Sequence, residues 1–183
     1  MMGKLCFLIG APHCGKSTLG QRVSEIMQLP FYDTDDMVRE EIGEVRIGDI
    51  FNSYIHSRSR GIEREAVLAL STTLSSPTII ATGAEVALIP DCVGAMRDTG
   101  YIIHIKRNTN SILEELRSSV DSRPVLVEVD DGTIFDFREH AVLAYADELP
   151  TYEAVAELTI DNNGSEDEGV NLLHTLVLAI VNQ

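Results

Sequence analysis

The sequence contains few cysteines and few basic residues, and each shortage excludes a class of protein. Its three cysteines, Cys6, Cys14 and Cys92, are too few and too scattered for a disulfide framework or a structural zinc site. Lysine and arginine number 14 against 29 aspartates and glutamates, which gives a formal net charge of −15. Because a nucleic-acid-binding surface needs a basic patch, we expect no nucleic-acid partner.

Long hydrophobic runs are also missing. No run approaches the roughly 18–20 apolar residues of a membrane-spanning helix, so we expect no membrane association. The N-terminus leads almost directly into a strand-like segment without the features of a cleavable signal, which predicts a cytoplasmic protein. The acidic composition indicates solubility and offers no obvious dimer patch, so we expect a monomer or a weak homodimer.

The chain is nevertheless rich enough in apolar residues to fold. Its 183 residues, 44% of them hydrophobic, fit a single domain over residues 1–183. Short β-branched runs alternate with helical patterns, which predicts an α/β fold with a parallel sheet covered on both faces. Predicted strands cover 4–9, 30–32, 78–82, 101–105 and 157–160. Predicted helices cover 17–27, 36–43, 47–74 with a break, 90–99, 110–118, 135–148 and 169–181, and residues 123–132 are predicted to be irregular.

The most informative motif follows the first predicted strand. Residues 10–17, Gly-Ala-Pro-His-Cys-Gly-Lys-Ser, match the pattern G-x-x-x-x-G-K-[ST] and open a predicted helix. Such a loop binds phosphate through successive backbone N–H groups, with the lysine on the β- and γ-phosphates and the hydroxyl on Mg²⁺. A chance glycine-rich turn is the alternative. The predicted nucleotide-binding residues in this segment are Gly10, Ala11, Pro12, His13, Cys14, Gly15, Lys16, Ser17 and Thr18.

A pair of carboxylates follows the second predicted strand. Asp33 and Asp35 lie one residue apart, where ligands of open α/β sheets bind. Two carboxylates there can divide two tasks, since one can support Mg²⁺ while the other contacts a hydroxyl acceptor and takes its proton. The alternative is a solvated acidic turn that caps the next helix. Other residues at predicted strand ends are 83–85, Arg107 and 161–163.

At this point the sequence resembles the shikimate kinase family over nearly its whole length. The order and spacing of the pieces carry the resemblance, because no single piece is specific. The matching pieces are residues 10–18 with Gly20, 31–35, 47–51, Arg60 with Glu63, 81–83, Arg117, 123–126, and 152–156 with Asp161. The resemblance implies a three-layer P-loop fold with a five-stranded parallel sheet, a lid near residues 117–132 and a small helical acceptor-binding segment near 35–64.

The resemblance also implies cosubstrates and residue roles. ATP and Mg²⁺ would be required, with Lys16, Asp35 and Arg123 as catalytic residues and Ser17 and Asp33 at the metal. Arg123 would come from the lid and stabilise charge on the transferred phosphoryl group. Arg117 would pack near the adenine.

On the acceptor side, the family pattern implies that Asp35 holds the acceptor hydroxyl. Arg60, oriented by Glu63, would contact the acceptor, and Gly83 would line its site. For Arg60 and Arg123 the alternative is an ordinary surface arginine.

Two departures fall on this acceptor side. The family's Gly-Gly-Gly is Gly83-Ala84-Glu85 here, and an arginine of the family aligns with Glu148. In the family these positions, with the counterpart of Arg60, receive the carboxylate of shikimate. Losing a buried arginine–carboxylate contact costs roughly 2–5 kcal/mol, and a like charge adds to this cost. Residues Gly83, Ala84, Glu85 and Glu148 are therefore predicted to bind an altered acceptor, unless the alignment slips and Arg138 takes over.

The sequence thus predicts an ATP-dependent small-molecule kinase. It would phosphorylate a hydroxyl of shikimate or, as we favour, of a related polyol or amino-polyol. Two alternatives remain open: another P-loop phosphotransferase of the gluconate or nucleotide type, and a non-catalytic nucleotide-binding regulator.

Overall fold

The computed structural model describes residues 5–43, 53–118, 126–128 and 134–182. The strands are β1 (Leu5–Ile9), β2 (Phe31–Asp33), β3 (Thr78–Ala81), β4 (Gly100–Lys106), β5 (Leu126–Glu128), β6 (Ile134–Asp136) and β7 (Leu158–Asp161). The α-helices are α1 (Lys16–Met27), α2 (Thr34–Ile42), α3 (Ser53–Thr73), α4 (Pro90–Thr99), α5 (Thr109–Ser118), α6 (Phe137–Ala144), α7 (Leu149–Val155) and α8 (Glu166–Val181). Short 3₁₀ turns cover Ala84–Leu88 and Ala146–Glu148.

Five strands form one sheet in the order β2-β3-β1-β4-β7, and each neighbouring pair is parallel. The predicted α/β fold with a five-stranded parallel sheet is therefore confirmed. Parallel strands run in one direction, so their carboxyl ends meet at one edge of the sheet. That edge carries residues 10–17, Thr34, Gly83, Arg107 and Asn162.

The central strand explains why the sheet is covered on both faces. All five residues of β1 are buried, and they alternate between two hydrophobic clusters. Cys6 and Leu8 face a cluster with residues of α1 and α8, while Leu5, Phe7 and Ile9 face one with residues of α3 and α4. A strand buried on both sides needs a continuous apolar run, which Leu-Cys-Phe-Leu-Ile supplies.

The region after α5 differs from the prediction. Residues 126–128 form β5, which pairs antiparallel with β6 at residues 134–136, whereas an irregular segment and the start of a helix were predicted there. The predicted helix over 135–148 is wrong at both ends, because α6 ends at Ala144 and a 3₁₀ turn follows. Leu-Val-Glu and Ile-Phe-Asp are short strand-forming runs, but only their pairing reveals them.

Two helix starts were also misplaced or missed. Helix α7 begins at Leu149 with Pro150 in its first turn, where a proline needs no backbone hydrogen bond. Helix α8 begins at Glu166, three residues before the predicted start. The Ser165 hydroxyl accepts a hydrogen bond from the backbone N–H of Glu168, and the Glu168 carboxylate accepts one from the backbone N–H of Ser165. This Ser-x-x-Glu capping box is visible in the sequence.

Within the described ranges, no helix is long and apolar enough to cross a membrane.

Candidate active site

The loop of residues 10–17, called the phosphate loop below, joins β1 to α1 and has an unusual backbone. His13 has φ 59° and Gly15 has φ 102°. Left-handed conformations cost a residue with a side chain roughly 1–2 kcal/mol, so glycine is the natural choice. At Gly15 the space is closed as well, since an added Cβ would lie 2.6 Å from Asn162 Nδ2. His13 thus adopts a conformation that glycine favours.

Lys16 is held inside the phosphate loop. Its side chain is almost fully buried, and Nζ donates to the carbonyls of Gly10 and Ala11, both at 2.9 Å. The Cys14 sulfur lies 3.8 Å from the same ammonium. The loop therefore presents a fixed positive charge beside its own backbone N–H groups, which is an arrangement suited to phosphate.

One large cavity connects the phosphate loop to Asp35 after β2. Its volume is about 720 Å³. It is lined by Pro12, His13, Gly15, Lys16, Ser17, Thr18, Leu19, Asp35, Ala84, Arg107, Ile112, Asn162, Gly164 and Glu166. We call the part around the phosphate loop, Arg107 and Asn162 the nucleotide side. The part around Asp35 and residues 83–85 is the acceptor side.

Asn162 is a site residue to which sequence reasoning assigned no role. It follows β7 and is buried, and its Nδ2 donates to the Cys14 carbonyl at 2.8 Å. This contact connects the phosphate loop to the segment that follows β7. Arg107, which follows β4, also lines the cavity. Both positions lie at strand ends, and that was the signal available in the sequence.

Asp33 and Asp35 have separate surroundings. The Asp33 carboxylate caps α2 by accepting from the backbone N–H of Asp35 at 2.9 Å, so the capping role considered from the sequence is present. Asp35 opens onto the cavity. Desolvation by the surrounding protein and the negative charge of Asp33 raise the pKa of Asp35, while Lys16 acts in the opposite direction. Asp35 is thus a carboxylate with an increased tendency to take a proton.

Glu63 lies behind Asp35 in a hydrogen-bonded network. It is buried, and it accepts from the Thr34 hydroxyl at 2.9 Å and from the Gly83 backbone N–H. The Gly83 N–H also donates to the Thr34 hydroxyl oxygen at 3.0 Å. Burial and the charge of Asp35 raise the pKa of Glu63 to about 7. An added Cβ at Gly83 would lie 1.9 Å from Glu63 Oε1, so a larger residue there would displace the Glu63 carboxylate from its present position.

Arg60 does not pair as the family resemblance implied. Its Nε lies 3.8 Å from Glu85 Oε2, whereas Glu63, which was expected to orient it, is engaged with Thr34 and Gly83. The pKa of the Tyr145 hydroxyl is raised first by burial and then by its interaction with Glu85. Tyr145 was not identified from the sequence, because a tyrosine between two helices carries no signal until the turn folds back onto residues 83–85.

Glu148 takes a more distant position. Its Oε2 accepts from the hydroxyl of Thr151 on α7 at 3.3 Å. The Tyr152 hydroxyl, which donates to the Ala84 carbonyl at 3.2 Å, has a pKa raised first by burial and then by charges that include Glu148 and Glu85. Glu148 therefore influences the Tyr152 hydroxyl through its charge.

The remaining predicted residues lie outside this constellation. Arg117 is exposed and forms a two-fold ion pair with Glu139 of α6, at 2.7 and 2.8 Å, and it does not line the cavity described above. Arg123, residues 47–51 and most of the predicted lid lie outside the described residues. Their roles stay predictions.

The parallel sheet, the phosphate loop at its edge and the cavity reaching Asp35 define the class of P-loop α/β proteins. The particular family follows from comparison with known proteins. The shikimate kinase family model matches residues 12–177, and the chain belongs to this family of ATP-dependent kinases.

Individual relatives agree with the family and the fold. A shikimate kinase from Francisella tularensis subsp. novicida is 28% identical over 176 residues, covering 96% of this chain and 95% of the relative. The structure of shikimate kinase from Acinetobacter baumannii in complex with shikimate has a TM-score of 0.71 at 20% identity, covering 98% and 94% of the two chains. The structure of shikimate kinase from Bacteroides thetaiotaomicron has a TM-score of 0.74 at 21% identity, covering 96% of this chain and 98% of the other. At these identities the two structures establish the fold.

Proposed function

We propose that this protein transfers the γ-phosphoryl group of ATP to a hydroxyl of a small polyol that is uncharged or carries an amine, in preference to shikimate. The observation that carries the proposal is that one cavity is lined both by Lys16 and by Asp35. Phosphoryl transfer needs positioning and charge stabilisation more than covalent chemistry, and these two residues supply a cation and a base.

The nucleotide side would bind the triphosphate. The phosphate loop supplies backbone N–H groups, and the Lys16 ammonium, held by two carbonyls at 2.9 Å, neutralises the oxygens on which negative charge develops. Asn162 keeps the loop in this conformation through its contact with Cys14. Because these groups are preorganised, little reorganisation is needed when charge moves toward the leaving group.

We assign the Ser17 hydroxyl, which lines the cavity, and the Asp33 carboxylate as the protein donors for a magnesium ion. Both are hard oxygen donors, and Mg²⁺ binds through one or two such groups while keeping several waters and phosphate oxygens. When bound, Mg²⁺ neutralises charge on the β- and γ-phosphates.

Asp35 would act on the acceptor. As the acceptor oxygen bonds to the γ-phosphorus, the bond from phosphorus to the bridging oxygen breaks, ADP leaves, and the hydroxyl proton passes to the Asp35 carboxylate. The raised pKa of Asp35 supports this role, because a stronger base takes the proton more readily. Turnover should therefore fall when the pH drops through the pKa of Asp35.

The acceptor preference rests on charge. Asp35, Glu63 and Glu85 lie on the acceptor side, and the charges of Asp35 and Glu85 both raise the pKa of Glu63. Arg60 pairs with one of them, Glu85. A carboxylate-bearing acceptor would meet like charges here, while a hydroxyl or an amine would find hydrogen-bond acceptors.

The test is an ADP-release assay with ATP, Mg²⁺ and a panel of shikimate, uncharged cyclic polyols and amino-polyols. We expect saturable turnover with at least one uncharged or amine-bearing acceptor. Asp35→Asn should reduce kcat by about 10²–10⁴-fold, since it removes the general base, while the Kd for ATP stays unchanged. Asp91→Asn, at the exposed start of α4, is the matched control and should retain activity.

Two outcomes would contradict this proposal in different ways. Efficient turnover of shikimate in preference to the other acceptors would leave a kinase but refute the altered acceptor. Tight ATP binding with no ADP release on any acceptor would instead favour the nucleotide-binding regulator.

A further inference from the structure

The Glu85 carboxylate pairs with Arg60, whose Nε lies 3.8 Å from Glu85 Oε2. Burial raises the pKa of the Tyr145 hydroxyl, and Glu85 raises it further as a hydrogen-bonding partner and as a charge. The Glu85 side chain is only 20% exposed, whereas that of Arg60 is 44% exposed. The carboxylate is therefore more deeply buried than the guanidinium with which it pairs.

The backbone that carries Glu85 is held from two directions. Tyr152 donates to the carbonyl of Ala84 at 3.2 Å, from the side of α7. The Gly83 N–H donates to Thr34 at 3.0 Å, from the side of α2. These two contacts hold the backbone of the two residues that precede Glu85.

The pairing has a consequence for ligand charge. An arginine that faces a small-molecule site is a strong receptor for a carboxylate, because its N–H groups match the carboxylate oxygens. At Arg60 a carboxylate of the protein itself already lies 3.8 Å from Nε. A second carboxylate, brought by a ligand, would compete with Glu85 for the guanidinium and would be repelled by it.

We infer that Glu85 is a built-in counter-anion for Arg60, that Tyr145 positions it, and that this pair excludes carboxylate-bearing acceptors from the site. The inference rests on the proposed kinase function and names what sets the acceptor class. Glu85 is the specificity-determining residue, and Tyr145 is a positioning residue that acts through it.

The decisive experiment compares two ligands that differ only in charge. Shikimate carries a carboxylate, and its methyl ester keeps the ring and hydroxyls without the charge. Binding of each is measured by calorimetry with the full-length protein and with Glu85→Gln, which keeps the size of the side chain. We expect the wild type to prefer the ester by about tenfold or more, and Glu85→Gln to bind shikimate at least about tenfold tighter than the wild type does.

The controls separate this effect from a general change of charge. Glu153→Gln removes the same charge at the exposed pair with Lys106, and it should leave the ratio of ester to shikimate affinity unchanged. Tyr145→Phe should shift that ratio toward shikimate by a smaller factor, about threefold, without altering the Kd for ATP. Tyr101→Phe, at the amino end of β4, is the matched control and should change neither the ratio of ester to shikimate affinity nor the Kd for ATP.

Each outcome decides between the inference and the proposed function. An unchanged ratio in Glu85→Gln, a wild type that prefers shikimate, or the absence of binding of either ligand to Glu85→Gln would overturn the inference. If the ratio shifts as expected but no acceptor stimulates ADP release in either protein, the kinase proposal fails and the inference stands. If acceptors are turned over while the ratio of ester to shikimate affinity stays unchanged in Glu85→Gln, the kinase proposal stands and the inference fails.

Discussion

The nucleotide side and the acceptor side of the cavity differ in how their residues are brought together and in the charge that they carry. The nucleotide side consists mainly of one continuous loop, residues 10–17, around the buried Lys16. The acceptor side draws Asp35, Glu63, Glu85 and Tyr145 from four separate parts of the chain, and three of these four are carboxylic acids.

This difference has a physical origin. Phosphate binding depends on a run of backbone N–H groups, and only a local loop with special φ values presents such a run. Acceptor binding depends on side chains, each of which can be replaced while the backbone stays the same. A chain can therefore keep the phosphate loop of its family and still carry Glu85 where the family pattern has glycine.

On the nucleotide side, the largest effect is expected from removal of the cation Lys16. Lys16→Met should reduce kcat by about 10²–10³-fold, because the developing phosphate charge loses its main counter-charge. Steady-state kinetics on the preferred acceptor measures this loss, together with the Kd for ATP. Lys106→Met, which breaks the exposed pair with Glu153, is the matched control and should leave kcat within a factor of two or so. Equal losses in the two variants would show that Lys16 has no special role.

The next effect concerns stability on the acceptor side. The folded protein raises the pKa of Glu63 to about 7 from 4.5, so between these pH values the unfolded chain releases a proton that the folded protein keeps. Glu63 therefore destabilises the fold increasingly as the pH rises through this window, by about 3 kcal/mol at its upper end. Glu63→Gln keeps an acceptor for Thr34 and removes this dependence.

Urea unfolding at pH 5 and pH 8 measures this prediction. From pH 5 to pH 8, the free energy of unfolding of Glu63→Gln should increase by about 2–3 kcal/mol relative to that of the wild type. Glu40→Gln, at an exposed position on α2, should show the same pH dependence of the free energy of unfolding as the wild type. Parallel behaviour of Glu63→Gln and the wild type would mean that Glu63 ionises normally in the folded protein.

The smallest expected effect returns to the nucleotide side. Asn162→Ala removes the donor to the buried Cys14 carbonyl, and leaving that carbonyl unpaired should cost about 1–3 kcal/mol of stability. The Kd for ATP should rise as the loop loosens, while selectivity among acceptors stays constant. Asn163→Ala, at the exposed neighbouring position, should have a weaker effect on both. A change in acceptor selectivity with Asn162→Ala would contradict the separation of the two sides.

Sequence reasoning was accurate where the signal was local. The apolar run of β1, the pattern of residues 10–17 and the alternation of strands with helices led to the sheet that the structure contains. It failed at β5 and β6, because each is three residues long and depends on the other for its hydrogen bonds. It also paired Arg60 with Glu63, where the fold pairs Arg60 with Glu85.

By itself, the sequence determined the family, the phosphate loop and the presence of unusual acidic residues near the acceptor, because these depend on which residues stand next to one another in the chain. Only the tertiary structure decided which charges meet. Tyr145 and Glu85 are 60 positions apart, and Asn162 lies 148 positions from the carbonyl that it holds. Contacts over such separations arise from the packing of the sheet and its helices, and no local pattern encodes them.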